Sequence, residues 1–334
     1  MRLEDLQTPA LVVDHDALQR NLATMARVRP GPALRPHVKA HKCTALARQQ
    51  AAAGHQAFTC ATVREMEVLA AAGLGDDLLL ANEVLEMGRL GALVRGGARV
   101  TVAVDSDAVL KAAVRGGVEE IVVDVNVGLP RCGCSPEEAP RLAEAARAAG
   151  LEVRGVMGYE GHLMLVADEG ERRRQADDCM KILTEVHSQV GGDVVSGGGT
   201  GTWAVNRVVT ELQAGSYALM DTAYAQLEDL PFQPALTVLA TVVSTNSSGW
   251  AVADAGLKAF GMDHGNPALV GAQVWYCSDE HVVFSMEEAP LPAVGDRVRL
   301  LPAHVDPTCA LHERMWLVEG DEVVDSWAVD MRGW

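Results

Sequence analysis

Glu120-Ile-Val-Val-Asp-Val-Asn-Val127, then Ser135-Pro-Glu-Glu138, then Gly150, then Val153-Arg-Gly-Val-Met-Gly158 spell out a strand, a helix with its start and stop signals, and a second strand. The β-branched runs at either end suit a pleated backbone. Between them, Ser135 with Glu138 makes a capping box, Pro136 occupies the first helical position, and Gly150 supplies the stop. A strand–helix–strand unit of this kind makes parallel neighbours. Outward from it the same alternation continues, with strand candidates at 34–38, 57–60, 77–81, 100–104, 120–127, 153–158, 193–196 and 211–213. Eight strands alternating with helical segments predict an α/β fold, an eight-stranded parallel (β/α)8 barrel. Cys179, Ile182, Leu183, Val186 and Val190 recur at helical spacing before Gly191-Gly192, and that stripe reads as core.

After about residue 230 the texture changes. Strands are expected at 235–244, 250–253, 272–277, 281–286 and 297–301, with a closing hairpin of 316–318 and 322–327 and no useful helical period. The predicted division is therefore a barrel over 1–230 and a β domain over 231–334. A strand at 10–13 is expected to bring residues 1–14 into the β domain.

Composition narrows the function. The chain has 334 residues, 49% of them hydrophobic, and a formal net charge of −17. Such a charge argues against nucleic acid or anionic membrane as partner. No apolar run approaches the roughly 20 residues that span a bilayer. The acidic start, Met1-Arg-Leu-Glu-Asp-Leu-Gln7, is unlike a signal peptide, so a cytoplasmic protein is expected. Seven scattered cysteines, an odd number without paired CxxC motifs, support neither a disulfide framework nor a four-cysteine zinc site.

In a barrel, chemistry gathers where strands end. Arg35-Pro-His-Val-Lys-Ala-His-Lys42 puts Lys39 after the first strand among cationic or titratable neighbours. Positive charge and desolvation favour loss of its proton, and a neutral amine can hold an aldehyde cofactor as a Schiff base. A solvated basic loop would read the same way. Arg131 follows strand five on a Gly/Pro-constrained loop, a mount for an oriented guanidinium or an ordinary surface charge. Tyr159 and His162 follow strand six; His162 is either a proton-transfer group or a packed core histidine. Ser196-Gly-Gly-Gly-Thr-Gly-Thr202 follows strand seven, and its glycines either form a plain turn or let N–H groups converge on a small phosphate. Farther on, residues two apart in a strand share a face, so His304 and Asp306 are expected to converge as two ligands of a divalent ion. Nitrogen and oxygen donors favour manganese, magnesium or calcium, with zinc kept open by Cys309.

Taken together, these segments resemble the fold-type III pyridoxal-phosphate enzymes of the D-threonine aldolase and D-serine dehydratase group, relatives of alanine racemase. The resemblance runs over nearly the whole chain. It rests on Gln7-Thr-Pro-Ala-Leu-Val-Val-Asp14, the 35–42 run, Asn126-Val-Gly-Leu-Pro-Arg-Cys-Gly133, Gly158-Tyr-Glu-Gly-His162, Gly198-Gly-Thr-Gly-Thr202, Glu211-Leu-Gln-Ala-Gly-Ser-Tyr217 and His304-Val-Asp-Pro-Thr308. It implies a homodimer with Lys39 as the Schiff-base lysine and Thr200, Gly201, Gly215, Ser216 and Tyr217 as the phosphate cradle. It further implies Tyr159 as a ring contact, Arg131 at the ring substituents, and His304 and Asp306 as metal ligands. Aspartate at 306, where dehydratase members of the group tend to carry cysteine, tilts the expected reaction to cleavage of a D-β-hydroxy-α-amino acid into glycine and an aldehyde, with His162 as base. A metal-dependent D-serine or D-threo-3-hydroxyaspartate dehydratase uses the same parts and stays open. A racemase lacks a second base here, and a non-catalytic pyridoxal-phosphate carrier would have no use for the segment beyond 230. Leu129-Pro130, Trp203, Cys134 and Asp263-His264 depart from the family pattern and bear on the substrate pocket.

Overall fold

A computed structural model describes residues 1–334. The chain begins with strand β1 (Ala10–Asp14) and helix α1 (His15–Val28). It then alternates through α2 (Thr44–Ala52), β2 (Phe58–Cys60), α3 (Val63–Ala71), β3 (Leu78–Leu80), α4 (Gly88–Arg95), β4 (Val100–Val104), α5 (Asp107–Gly116), β5 (Glu120–Asp124), α6 (Ala139–Ala148), β6 (Glu152–Gly158), α7 (Glu169–Val190), β7 (Val194–Gly197) and β8 (Glu211–Leu212). Two compact units result. One comprises Met25–Lys39, Leu46–Gly215 and Met331–Trp334; the other comprises Met1–Thr24, Ala40–Ala45 and Ser216–Asp330.

In the first unit, strands β2 to β8 form one parallel sheet in sequence order. Local signals start its helices. Thr62 and Glu65 form a capping box on α3, Ser106 caps α5 through Val109 N–H, and Asp168 caps α7 through Glu171 N–H. The helix expected from Ser135 begins later, at Ala139, because residues 136–138 form turns first. The sheet has seven strands. The segment expected as the first strand, 34–38, makes only single bridges, Leu34 with Leu212 and His37 with Thr59, and then turns into a 3-10 helix at Val38–Ala40. Pro36 explains this: it has no N–H to give a ladder, and only its carbonyl is used, by the Thr59 N–H at 2.9 Å.

At the amino ends of these strands lies a buried ionic cluster. The Arg35 side chain, 2% exposed, grips Asp77 with both terminal nitrogens at 3.1 Å. Its Nε stands 2.8 Å from Glu211, close but not aligned as a hydrogen bond. Arg154 grips the same Asp77 at 2.7 and 2.9 Å and donates to Thr101 at 2.7 Å. Asp77 is thereby bidentate to two guanidinium groups.

The second unit carries β9 (Leu236–Asn246), β10 (Trp250–Ala253), β11 (Ala272–Cys277), β12 (Val282–Met286), β13 (Arg297–Leu300), helix α8 (Val305–Leu311), β14 (Arg314–Glu319) and β15 (Glu322–Ala328). Its sheet runs β11-β12-β10-β9-β1-β14-β15, with β13 on β9. The expected strand at 10–13 is thus inserted between β9, antiparallel, and β14, parallel. Leu3, Leu6, Ala10, Val12, Leu239 and Val318 pack as one apolar cluster beside it. The unforeseen element is α8, whose first turn holds Asp306; Asp221 accepts from Val305 N–H at 2.9 Å, a carboxylate at the helix start. No helix is long and apolar enough to cross a membrane.

Burial raises the Asp77 carboxyl, but hydrogen bonds and charge from Arg154 and Arg35 outweigh it and hold the group well below the usual carboxylate range. A depressed folded-state value contributes stability that is complete above the unfolded carboxyl's value of about 4 and is lost as pH falls below it. Asp77→Asn is expected to cost about 3–5 kcal/mol, as breaking a buried pair does, and to remove part of the acid sensitivity. Urea unfolding at pH 7 and at about pH 3, below the unfolded carboxyl's value, measures both effects; a variant as stable and as acid-sensitive as the parent would show the cluster to be idle.

Candidate active site

Within the first unit the functional candidates follow strand ends. Lys39 lies in the 3-10 turn after 34–38, half-buried, and Lys42 just beyond it adopts a left-handed φ of 48°. The loop after β5 presents Arg131, exposed, with its guanidinium 5.3 Å from the centre of the Tyr159 ring. That is a cation–π contact between two of the expected residues. His162, in the 3-10 turn Gly161–Leu163, faces Gly128: a Cβ at Gly128 would sit 3.1 Å from its Cε1. Its Nε2 is 4.0 Å from Cys179 Sγ. Burial pushes the Cys179 thiol up to about 11, which disfavours its thiolate.

The glycine-rich turn after β7 is almost wholly buried from Ser196 to Thr202. Gly198 takes a φ of +74°, in the left-handed region that favours glycine. A Cβ on Gly199 would meet Met164 Sδ at 2.7 Å, and one on Gly201 would meet Met164 O at 2.0 Å. These two glycines therefore permit close approach of the segment after β6. A residue that sequence reasoning passed over fastens the turn. Glu160, fully buried, accepts from Gly198 N–H at 3.2 Å, Thr202 Oγ1 at 2.9 Å and Asn206 Nδ2 at 2.8 Å. Gly215, which ends the long central segment of this unit, lies three beyond β8; Ser216 and Tyr217, which open the next segment of the other unit, are buried in a 3-10 turn.

The second unit holds the expected metal ligands. His304 Nε2 and Asp306 Oδ1 are 3.9 Å apart. The expected strand geometry does not bring them together: His304 is the N-cap of α8 and Asp306 belongs to its first turn. The other imidazole nitrogen, Nδ1, is 2.6 Å from Asp263 Oδ2, and the His264 ring stacks on His304 with centroids 4.2 Å apart and planes 6° from parallel. Asp263, His264 and His304 each place one donor atom within 4.8 Å of the others. Ser216 Oγ donates to Asp306 Oδ1 at 3.2 Å. Asp263 loses some carboxylate character to burial, but the His304 hydrogen bond and charge more than restore it and leave its pKa lowered. Cys309 is fully buried.

Residues 13–222 match the family model described as "Alanine racemase, N-terminal domain", and residues 235–318 match "Putative serine dehydratase domain". By fold and by the order of its motifs the chain belongs to the alanine racemase-like family, in the branch of the D-threonine aldolases. It is 36% identical to D-threonine aldolase of Arthrobacter sp, covering 99% of this chain and 94% of the relative. It is 34% identical to 3-hydroxy-D-aspartate aldolase of Paracoccus denitrificans, covering 98% and 93%. Among solved structures, D-threonine aldolase from Filomicrobium marinum superposes with a TM-score of 0.93 at 36% identity, over 99% and 97% of the two chains. D-threo-3-hydroxyaspartate dehydratase from Delftia sp. HT23 gives 0.86 at 26% identity over 100% of both.

The glycine contacts carry a direct expectation. Gly201→Ala forces a methyl group onto a main-chain oxygen and should destabilise by about 1–3 kcal/mol, the usual cost of overpacking. Thermal unfolding checks it, with Gly54→Ala, where a Cβ meets nothing within 4 Å but φ is +107°, separating contact from backbone strain.

Proposed function

We propose that the chain is a pyridoxal-phosphate- and divalent-metal-dependent aldolase that cleaves D-configured β-hydroxy-α-amino acids into glycine and an aldehyde. The observation that carries this reading is the pairing of His304 Nε2 with Asp306 Oδ1 at 3.9 Å, in a chain that also bears a lysine after the first barrel segment. Two donors at that separation can share one ion with bond lengths of roughly 2.0–2.6 Å. The nitrogen–oxygen set suits manganese, magnesium or calcium, with zinc as the alternative. The cofactor fits as well, since an amine, an aromatic ring backed by a guanidinium, and a buried glycine turn with hydroxyls are what an aldehyde, a pyridine ring and a phosphate require.

When bound, pyridoxal phosphate supplies an electron sink for a carbanion at Cα, and a divalent ion supplies the charge that lowers a hydroxyl's pKa. Lys39 contributes the amine that holds the aldehyde. Tyr159 and Arg131 orient the ring, and Thr200, Gly201, Gly215, Ser216 and Tyr217 hold the phosphate. His304 and Asp306 hold the ion, and Asp263 fixes which imidazole nitrogen faces it. His162 takes the proton from the substrate β-hydroxyl as Cα–Cβ breaks. The same reading takes 34–38 as the eighth member of the barrel, supported by its bonds to Leu212 and Thr59. The working form is a cytoplasmic homodimer.

Dehydration of a D-β-hydroxy amino acid is the second reading, favoured by the likeness to D-threo-3-hydroxyaspartate dehydratase. Assay of D-threonine, D-serine and D-3-hydroxyaspartate for aldehyde and for keto acid, with and without chelator, decides between them. Glycine and acetaldehyde from D-threonine, abolished by chelator and by Lys39→Ala, are expected; keto acid and ammonia without aldehyde would overturn the aldolase reading. The hydrogen bond at Nδ1 gives a separate expectation. Asp263→Ala should raise the dissociation constant for Mn2+ about 10- to 100-fold in calorimetric titration, as loss of a ligand's orienting partner does.

A further inference from the structure

Glu160 is a fully buried carboxylate beneath the glycine-rich turn. Burying an ionised group costs several kcal/mol unless every lone pair finds a donor, so such a residue is kept for what it organises. Its partners are the turn's own groups. Oε1 accepts from Thr202 Oγ1 and Asn206 Nδ2, and Oε2 accepts from Gly198 N–H. Thr202 Oγ1 in turn accepts from Gly199 N–H at 3.2 Å. These directions are linked. A hydroxyl has one proton, and by giving it to Glu160 Thr202 keeps its lone pairs for the Gly199 amide.

We propose that Glu160 is the positioning residue of the phosphate cradle. It takes the inward-facing donors of Gly198, Thr202 and Asn206 and thereby fixes the backbone from 198 to 202 in the shape that receives a phosphate monoester. This inference rests on the reading of the 198–202 turn as the phosphate cradle. Glu160 touches no reacting atom; it acts through the turn.

The chemistry singles out Glu160→Gln. Glutamine has the same shape, but one of its two terminal atoms is a donor. Placed at Oε1 it meets two donors; placed at Oε2 it meets the Gly198 N–H. Either way a donor confronts a donor, and the second, less costly arrangement displaces the turn at its first residue. A buried donor left unsatisfied costs an amount that corresponds to about 5- to 100-fold in an equilibrium constant.

The test compares two aldehydes on the cofactor-stripped full chain: pyridoxal phosphate, and pyridoxal, which has no phosphate. In Glu160→Gln the affinity for pyridoxal phosphate should fall about 5- to 100-fold while that for pyridoxal stays within about twofold of the parent. A general loosening of the fold lowers both alike, and that result overturns the proposal. So does an unchanged or increased preference for pyridoxal phosphate, which would mean that the turn is held without Glu160 or that its charge merely repels the phosphate. Thr202→Val and Thr202→Ser give an independent reading should Glu160→Gln not fold. Valine removes the hydroxyl and should reproduce the selective loss, whereas serine keeps it and should not; valine behaving like serine overturns the proposal too. Parent protein that takes up pyridoxal and pyridoxal phosphate equally well refutes the phosphate cradle itself, and parent protein that takes up neither refutes the cofactor.

Discussion

A guanidinium that is almost entirely out of water needs compensating charge, and Arg35 meets two acids from well-separated strands of the sheet. Asp77 stands just before β3, Glu211 opens β8, and Arg154 reaches the same Asp77 from β6. The segment from which Arg35 projects is too proline-broken to be held by a ladder, so side-chain charge does there what backbone pairing does elsewhere. Lys39 lies four residues farther along that segment, and its position at the strand ends is inherited from the anchoring of Arg35. Taking either acid away leaves a buried cation uncompensated, which is why the cluster is costlier to break than surface pairs such as Arg141 with Asp107.

Much of this was legible in the sequence, and the exceptions have physical causes. β4, Val-Thr-Val-Ala-Val, is buried along its length and lies at 100–104 where periodicity put it, whereas β5, expected over 120–127, begins at Glu120 but ends at Asp124. The segment 34–38 reads as a strand by hydrophobicity, but hydrophobicity is blind to the missing N–H of Pro36. His304 and Asp306 do face one another, for a reason other than strand alternation: α8 starts at Val305, its amide taken up by Asp221, a residue remote in sequence. Glu160 and Asp263 escaped for the same reason. The partners of Glu160 are 38, 42 and 46 residues away and that of Asp263 is 41, and no local pattern encodes such distances. Asp263-His264 did stand out as unlike the family pattern, which was the one signal available.

The glycines after β7 illustrate how two demands can share a residue. Phosphate recognition asks for open amides, and Met164 asks for the absence of a side chain at 199 and 201. Packing alone accounts for those two glycines, so the glycine count by itself does not mark an anion site. His304 makes the parallel point in the other unit. Imidazole offers two nitrogens; Asp263 meets Nδ1, and Nε2 lies 3.9 Å from Asp306.

The placement of β1 has a consequence for the order in which the molecule can be made. Leu11 is paired on one side with Val238 and on the other with Met315. On the ribosome this strand emerges before either of its neighbours, β9 and β14, has been synthesised, and it stays unpaired until both have been translated. Its apolar Leu-Val-Val run is exposed for that interval, the kind of surface nascent-chain chaperones shield. The sheet it completes is accordingly among the last parts of the protein that can assemble.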